Sequence, residues 1–290
     1  MNPEKRETLE AYRECIRKTL AYLEANLSVV PTLDELALVG GFSPFHFHRI
    51  FRAFVGETVA SHVKRLRLER AATHLRHSKR TVLDIALDAG FESESAFAKA
   101  FKKRFEMAPG LFRRSGNIKI TPNRKTELVM QTKSIEPQAI EDFDPVSVYF
   151  VRKQGPFAQS AEEAFGALMP FLYGNQLVTE NLRCFGISAD NPKITEPDKL
   201  RYEAAATVEV EHPVEGDVER KEVGGGRWAR FLHKGPYEEL EGTYDAIFSG
   251  WLPQSGETLR DVAPMEEYLN RDPRRTKPEN LRTMIYIPVE

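Results

Sequence analysis

The chain has 290 residues, which is enough for two domains of ordinary size. With 41% hydrophobic and 29% charged residues, it is not a mostly disordered chain, a collagen or a coiled-coil rod. No apolar run approaches the roughly 18 residues of a membrane span, and the polar start MNPEKRETLE is no secretory signal, so we expect a cytoplasmic protein with no membrane partner. Cys15 and Cys184 lie far apart and fit neither a disulfide framework nor a metal site, in agreement with a reducing compartment.

Charge is divided unevenly along the chain. Up to Gly116 there are 20 basic and 14 acidic residues, a net charge of +6, and from Asn117 onward there are 21 basic and 29 acidic residues, a net charge of −8. A difference of this size also arises by chance. If it is functional, it suggests a basic part for a polyanion and an acidic part for another partner.

A duplicated segment fills much of the basic half. LDELALVGGF (33–42) recurs as LDIALDAGF (83–91), with Gly41-Phe42 matching Gly90-Phe91 at an offset of 49. At an offset of 50 the match continues through five pairs: Phe47 with Phe97, Arg49 with Lys99, Phe51 with Phe101, Arg52 with Lys102, and Val55 with Phe105. Each copy is predicted to form a helix, a tight turn and a second helix.

The second helix of each copy has an apolar stripe and a polar side. In the first copy Ser43-Pro44 has the chemistry of a helix start, and the predicted buried stripe is Phe47, Ile50, Phe51 and Phe54. The polar side carries Phe45, His46, His48, Arg49 and Arg52, and in the second copy Glu94, Ser95, Lys99, Lys102 and Lys103. Such a helix on a short turn is typical of a helix-turn-helix that enters the DNA major groove.

Two alternatives apply to this polar side. The spacing of His46 and His48 puts their rings about 200° apart on a helix, with no carboxylate or thiol beside them, so a metal site is disfavoured. The run Lys102-Lys103-Arg104 taken alone is more typical of a solvated face. Because basic residues recur at equivalent positions of both copies, we favour DNA binding.

A continuous helix is predicted from Glu57 to His77, between the copies, with Val59, Val63, Leu66, Arg70 and Leu75 along it. At 1.5 Å per residue it would span about 30 Å, close to one DNA turn of about 34 Å. A single chain could then place two recognition helices in successive major grooves. The linker cations expected near the DNA backbone are Lys64, Arg65, Arg67, Arg70 and Arg76.

The stretches GFSPFHFHRIFRAFVGET and GFESESAFAKAFKKRFEMAPGLFRR resemble the AraC/XylS family of transcriptional regulators over about 110 residues. The resemblance implies an all-α double helix-turn-helix domain at residues 1–116 that binds double-stranded promoter DNA. It also implies base-facing positions at Phe45, His46, His48 and Arg49, and at Glu94, Ser95 and Lys99. Two residues depart from the family pattern: Glu106 stands where Gly is common, as at Gly56, and Glu94 is acidic.

The acidic half, after a predicted linker at 117–126, contains a second apparent repeat. GPF (155–157) and GPY (235–237) are 80 residues apart, and LRYEAAATV (200–208) matches LRTMIYIPV (281–289). The predicted strands are Ser147–Lys153, Arg183–Ser188, Tyr202–Val210, Arg227–His233 and Arg282–Val289. We predict an α+β domain of two strand-helix-strand-strand repeats, with a curved antiparallel sheet, helices on one face and a ligand groove on the other.

Residues 127–290 resemble the gyrase-inhibitory-protein-like effector-binding domain through the motifs QGPF, FGISADNP, LRYEA, GGRWARFLHKGPYEEL, MEEYL and LRTMIYIPV. The whole chain is similar to the right-origin-binding type of regulator. The resemblance implies a sensor of small molecules, and it implies that Glu267, in the pair Glu267-Tyr268, lines the ligand groove. A carboxylate among aromatic rings suits a cationic, amphipathic effector.

Other readings of these residues stay open. Glu266 and Glu267 could both be surface residues, and Trp228, Tyr149 and Tyr286, the weaker ligand-binding candidates, could equally pack against a helix. Glu203 is a further candidate, on a face that strand alternation does not settle. Gly224-Gly225-Gly226 lacks the spacing and lysine of a P-loop, and no other enzyme motif stands out.

We therefore expect a sequence-specific DNA-binding transcriptional regulator with no catalytic residues, no cofactor and no metal. Its expected partners are promoter DNA, a small-molecule effector and RNA polymerase. The alternative is a ligand-sequestering or hydrolytic protein with little specific DNA binding.

Overall fold

A computed structural model describes residues 3–28, 31–42, 45–115, 135–188, 190 and 195–290. The chain divides into two compact units. The first comprises Met1–Tyr12, Ser43–Ile50 and Met130–Glu290, and the second comprises Arg13–Phe42 and Phe51–Val129. The predicted boundary at Gly116, the linker 117–126, the domain start at 127 and the Ser43-Pro44 helix start lie outside the described residues. The predicted domain ranges therefore stay a prediction.

In the basic half the described residues form helices joined by turns and loops, with no strand, as predicted. Its helices are α1 (Pro3–Ala25), α2 (Leu33–Gly40), α3 (Phe47–Val55), α4 (Val59–His77), α5 (Val82–Asp88), α6 (Glu94–Phe105) and α7 (Pro109–Arg114). The linker helix α4 begins two residues later than predicted because the Thr58 side chain caps it, accepting a hydrogen bond from the Ser61 amide.

The first helix of each helix-turn-helix copy starts with the same reciprocal cap. Thr32 and Glu35 form a capping box at α2, and Thr81 and Asp84 form one at α5. In each box two backbone N–H groups that the helix leaves unpaired gain side-chain partners. The turn after α2 passes through Gly41 at φ +69°, which a glycine adopts without strain. The similarity of the two copies thus includes the capping residues at the start of their first helices.

The second unit has its own apolar core on α4, α5, α6 and α7. The core residues are Leu68, Ala71, Ala72, Leu75, Ile85, Ala86, Ala89, Phe97, Phe101 and Phe112. The predicted burial of Phe47, Ile50, Phe51 and Phe54 on α3 is confirmed. Of the residues named along α4, Val59, Val63 and Leu75 are buried, Leu66 is half-buried and Arg70 is exposed.

The acidic half forms one antiparallel sheet with helices, as predicted. Its strands are β1 (Ala139–Asp142), β2 (Val146–Gln154), β3 (Cys184–Ile187), β4 (Arg201–Thr207), β5 (Glu219–Val223), β6 (Arg227–Lys234), β7 (Met265–Tyr268) and β8 (Arg282–Pro288). Their order in the sheet is β1-β6-β8-β7-β3-β4-β2-β5, and every pairing is antiparallel. The sequence predicted β2, β3, β4, β6 and β8, and it missed β1, β5 and β7.

Helices interrupt the strand sequence twice. These are α8 (Phe157–Gly174) after β2, and α9 (Leu240–Ala246), a π-helical turn (Ile247–Trp251) and α10 (Leu252–Ser255) after β6. Each helical stretch is followed by two strands, β3 and β4 or β7 and β8. That these are two copies of one unit stays a prediction.

Both helical stretches cover the same face of the sheet. One row of directly paired residues crosses six strands on that face: Phe231, Ile285, Glu266, Gly186, Ala204 and Val151. At one end of this row Phe231 contacts Trp251 of the π-helical turn, and at the other end Val151 packs in the apolar cluster that includes α8. Glu266 lies between them. No described helix is both long and apolar enough to cross a membrane.

Candidate functional site

The second predicted recognition helix, α6, presents its polar side to solvent. Glu94, Ser95, Lys99, Lys102 and Lys103 are all exposed, whereas Phe97 and Phe101 are fully buried. Ser93 caps the helix by accepting a hydrogen bond from the Ala96 amide at 3.2 Å. The residues expected to meet DNA are therefore held on a rigid helix with a free polar face.

The first recognition helix differs, because two of its predicted base-facing residues are buried. His46 is completely buried and donates from Nε2 to the Val262 carbonyl oxygen at 3.1 Å. Burial, helped by the nearby charge of Arg49, lowers the pKa of His46 to about 3. His48 is also buried, and burial lowers its pKa well below the usual value. The prediction of a fully exposed polar side on this helix is thus wrong.

Arg49 lies against two aromatic rings of the same compact unit. Its guanidinium carbon is 4.2 Å from the centre of the Tyr244 ring and 5.4 Å from that of Phe248. Both distances are within the range of cation–π attraction. Phe45 and Arg52, the other predicted residues on this helix, are half-buried.

The cations of the linker helix α4 are partly engaged within the protein. Arg65 donates to Glu57 at 2.8 Å, and Arg67 donates to the Leu27 carbonyl oxygen at 2.8 Å. Arg76 lies over Phe112, and Lys64 lies 5.9 Å from the centre of the Phe91 ring. Arg70 and Lys64 are exposed, so both are accessible to the phosphates of a DNA backbone.

Among the predicted ligand-binding residues, Glu267 already has a strong partner. Arg183 donates two hydrogen bonds of 2.8 Å each to the Glu267 carboxylate, and the Tyr286 hydroxyl donates to it at 2.6 Å. These bonds outweigh burial and lower the pKa of Glu267. Burial and the hydrogen bond to Glu267 raise the pKa of Tyr286 to about 12. Glu267 and Tyr286 therefore form part of an internal ion-pair cluster on the sheet face opposite the helices.

The other predicted ligand-binding residues are also engaged. Arg152 donates to Glu203 at 2.6 Å, and Lys221 pairs with the same carboxylate. Tyr149 lies on the helix-bearing face, where its ring packs against Phe171 of α8 and its hydroxyl donates to the carbonyl oxygen of His212 at 2.9 Å. The Trp228 indole donates to the Gly225 carbonyl oxygen at 2.9 Å. The groove expected on the face opposite the helices thus has its carboxylates neutralised.

A different carboxylate, that of Glu266, lies on the helix-bearing face among tyrosines. The Tyr244 and Tyr268 hydroxyls each donate to it at 3.0 Å. The Tyr202 hydroxyl lies 2.8 Å from that of Tyr268, which continues the chain of hydrogen bonds. Burial raises the pKa of Glu266 despite these bonds, and it raises the pKa of Tyr202, Tyr244 and Tyr268 as well.

Aromatic rings surround this tyrosine chain. Phe165 and Tyr237 meet the Tyr268 ring edge-on at 5.8 and 5.3 Å, and Phe157 lies 6.3 Å from the Tyr202 ring. Gly186 faces the hydroxyls of Tyr202 and Tyr268 so closely that a Cβ there would collide with both. A glycine is thus required for these two hydroxyls to meet.

Strand alternation could have identified Glu266. Residues two apart on a strand share a face, so Tyr268 lies beside Glu266, whereas its sequence neighbour Glu267 points the other way. The family resemblance implied Glu267 through the pair Glu267-Tyr268, and β7 was not among the predicted strands. Within the ranges described above, no three His, Cys, Asp or Glu side chains are grouped to hold a metal ion.

Comparison with known proteins identifies both halves. Residues 137–290 match the GyrI-like small molecule binding domain, and residues 36–115 match a helix-turn-helix domain. The transcriptional regulator Rob of Salmonella typhimurium is 26% identical over 298 aligned positions, covering 94% of this chain and 97% of that protein.

Two further relatives match a smaller share of the chain. The HTH-type transcriptional regulator YbfP of Bacillus subtilis is 38% identical over 42% of this chain and 41% of its own. The right origin-binding protein of Escherichia coli K12 is 39% identical over 34% of this chain and 35% of its own, so both matches span less than half of the relative. The solved EcmrR–DNA complex is similar over 52% of this chain, at 21% identity and a TM-score of 0.46.

Proposed function

The chain belongs to the GyrI-like family of small-molecule-binding proteins and has the architecture of an AraC/XylS regulator, and on this premise we propose that it regulates transcription from promoter DNA in response to a small molecule. The names of its relatives favour this role over the sequestering or hydrolytic alternative. The proposal includes a DNA-binding domain at 1–116, a linker at 117–126, an effector domain at 127–290 and RNA polymerase as a partner.

The exposed face of α6 supports DNA binding. Lys99, Lys102 and Lys103 lie on one exposed side of a helix that buried phenylalanines hold in place. Lysines so placed neutralise phosphates and release counterions, which makes the affinity depend on salt. In the first helix we propose Arg49 as the reader of a guanine, because a guanidinium can pair with both acceptors on that base.

The first prediction concerns Lys102. We expect Lys102→Ala to weaken binding to all duplex sequences alike and to reduce the slope of log affinity against log salt by about 1. Mobility-shift titrations at several salt concentrations measure both quantities. The control is Lys199→Ala, which removes a similarly exposed lysine outside the helix-turn-helix region. An unchanged salt slope for Lys102→Ala would remove α6 from the DNA interface.

The half-buried carboxylate of Glu266 is the observation that carries the effector proposal. In the described part of the chain its hydrogen-bond partners are two neutral phenols, and no basic side chain donates to it. A half-buried carboxylate without a bonded counter-charge favours an incoming cation, and the surrounding rings add cation–π attraction. We propose that a lipophilic cation binds here, with its charge near Glu266 and its apolar part among Phe165, Tyr237 and Tyr268.

The second prediction uses the two neighbouring glutamates of β7. The probes are benzyltrimethylammonium and neopentylbenzene, which have the same shape and differ in charge. Glu266→Gln removes the charge and nearly keeps the volume, so we expect it to weaken binding of the cation and to leave the neutral probe unchanged. Because exposed ion pairs contribute only about 0–1 kcal/mol, a larger loss indicates a desolvated carboxylate.

Calorimetry on the full chain measures both probes, and Glu267→Gln is the matched control. We expect Glu267→Gln to leave the preference for the cation intact, because that carboxylate is held by Arg183 on the opposite face. If Glu266→Gln weakened both probes equally, or neither, Glu266 would not be the counter-charge.

A further inference from the structure

Arg49 links the two activities proposed above. The segment Ser43–Ile50 belongs to the same compact unit as residues 130–290, so its contacts with Tyr244 and Phe248 are internal to that unit. Tyr244 in turn donates its hydroxyl to Glu266 at 3.0 Å. A single tyrosine thus presents its ring to the arginine and its hydroxyl to the carboxylate.

The electrostatics of Glu266 include Arg49. The positive charge of Arg49 favours the ionised carboxylate, although burial has the larger effect on its pKa. Arg49 is therefore a cation that already acts on the candidate effector site. Like the headgroup of a cationic ligand, Arg49 places a positive charge against an aromatic face near the carboxylate.

Arg49 is only partly satisfied in hydrogen bonding, because its side chain donates to the Tyr244 hydroxyl but not all of its donors have a partner. Its Nη1 atom is buried and has no hydrogen-bond partner among the described residues. A buried donor without an acceptor costs free energy that a base edge or water would recover. The rings of Tyr244 and Phe248 therefore contact a cation whose hydrogen-bond donors are incompletely satisfied. Arg183 differs, because it donates two hydrogen bonds to Glu267.

We propose that Arg49 is the built-in counter-cation of the effector site, and that a lipophilic cation binding at Glu266 competes with it. This inference rests on the proposed function. Binding of the effector displaces Arg49 from the Tyr244 ring, and the released guanidinium becomes available to a guanine. Arg49 then has two roles: it contacts a guanine of the DNA, and it occupies the effector site when no ligand is bound.

The first test measures ligand affinity. In Arg49→Ala the competitor is absent, so benzyltrimethylammonium should bind the full chain more tightly than it binds wild type, by roughly three- to thirtyfold. Neopentylbenzene should gain less. Arg52→Ala removes an arginine of the same helix and should leave the cation affinity unchanged. Equal cation affinities for wild type and Arg49→Ala would overturn the inference while leaving the proposed effector site intact.

The second test measures DNA affinity without removing the reading residue. Phe248→Leu takes away one ring under Arg49 and does not touch the hydrogen bonds of Glu266. The DNA probe is the duplex that wild type selects from a random library. Without a cation, the variant should bind this duplex several-fold more tightly than wild type, and benzyltrimethylammonium should then enhance its binding less.

The outcomes separate the two proposals. If the cation binds wild type through Glu266 but neither changes DNA affinity nor competes with Arg49, only the inference fails. If the cation binds neither wild type nor Arg49→Ala, the cationic effector class fails with it. Thermal unfolding of Phe248→Leu shows whether the variant is folded, and the Arg49→Ala titration decides the inference if it is not.

Discussion

Glu266 and Glu267 show that two adjacent residues of one strand can have opposite electrostatic surroundings. Both are acidic, adjacent and half-buried, yet the pKa of one is raised and that of the other is lowered. The difference arises from partners on opposite faces of the sheet, phenols for Glu266 and Arg183 for Glu267. The same chemical group is therefore available to a cation in one position and already paired in the other.

His46 predicts a pH dependence at the scale of a single residue. Its pKa lies near 6.5 in an unfolded chain and about 3 in the folded protein, so the unfolded state binds the extra proton first. The free energy of unfolding should therefore be highest above about 6.5 and should fall as the pH drops from there toward about 3. Denaturant titrations between pH 7.5 and pH 5 measure this decline.

The control for this prediction is His46→Gln, which can still donate to the Val262 carbonyl oxygen but does not titrate. We expect its stability to decline less steeply with acidification than that of wild type. A residual slope should remain, because burial also lowers the pKa of His48. Identical slopes in the two proteins would show that His46 is solvated in solution.

At the scale of elements, the two helix-turn-helix copies differ where α3 and α6 end. Gly56 follows α3 at φ +81°, and Glu106 follows α6 at φ +59°, a left-handed conformation that disfavours a side chain. The Glu106 amide still donates to the Lys102 carbonyl oxygen at 2.8 Å and closes the helix. The departure from the family pattern at this position thus preserves the backbone shape at a cost in strain.

We therefore predict that Glu106→Gly raises the free energy of unfolding by roughly 1 kcal/mol. Gly56→Ala, the reverse change at the equivalent position of the first copy, should lower it by a similar amount. Chemical denaturation of the three proteins checks both. If Glu106→Gly destabilised the protein, an interaction of the exposed carboxylate would have to outweigh the backbone strain.

The sequence predicted elements best where an apolar period or a turn residue marks them. The phenylalanine stripes of α3 and α6 and the β-branched strands β2 and β8 were found from such patterns. β5, with the sequence ERKEV, and β7, with MEEY, are short and charged, so they show no apolar alternation. Missing β7 had the larger effect, because the facing direction of Glu266 and Glu267 depends on it.

The burial of the polar side of α3 could not be predicted from the sequence of that helix. His46, His48 and Arg49 have the pattern of a solvated or DNA-facing surface. Their burial depends on Val262, Tyr244 and Phe248, which lie about two hundred residues later in the chain. Contacts of such long sequence separation leave no periodic signal in either segment.

At the scale of the whole molecule, the duplication predicts the stoichiometry on DNA. Since the helix-turn-helix pattern occurs twice in one chain, we expect one monomer to protect two sites one helical turn apart on the same side of the duplex. Hydroxyl-radical footprinting at a measured ratio of protein to DNA checks this. A dimer with two-fold symmetric protection would contradict it.

Gly186 has a consequence in genetic terms. Because a Cβ at this position would collide with the Tyr202 and Tyr268 hydroxyls, any missense change at this codon pushes a methyl group or more into the proposed effector site. Such an allele encodes a chain with its α6 surface unaltered and its sensor blocked from within. A screen for regulators that still bind their promoters but no longer answer an inducer should therefore recover substitutions at this single glycine, far in sequence from every residue of the helix-turn-helix.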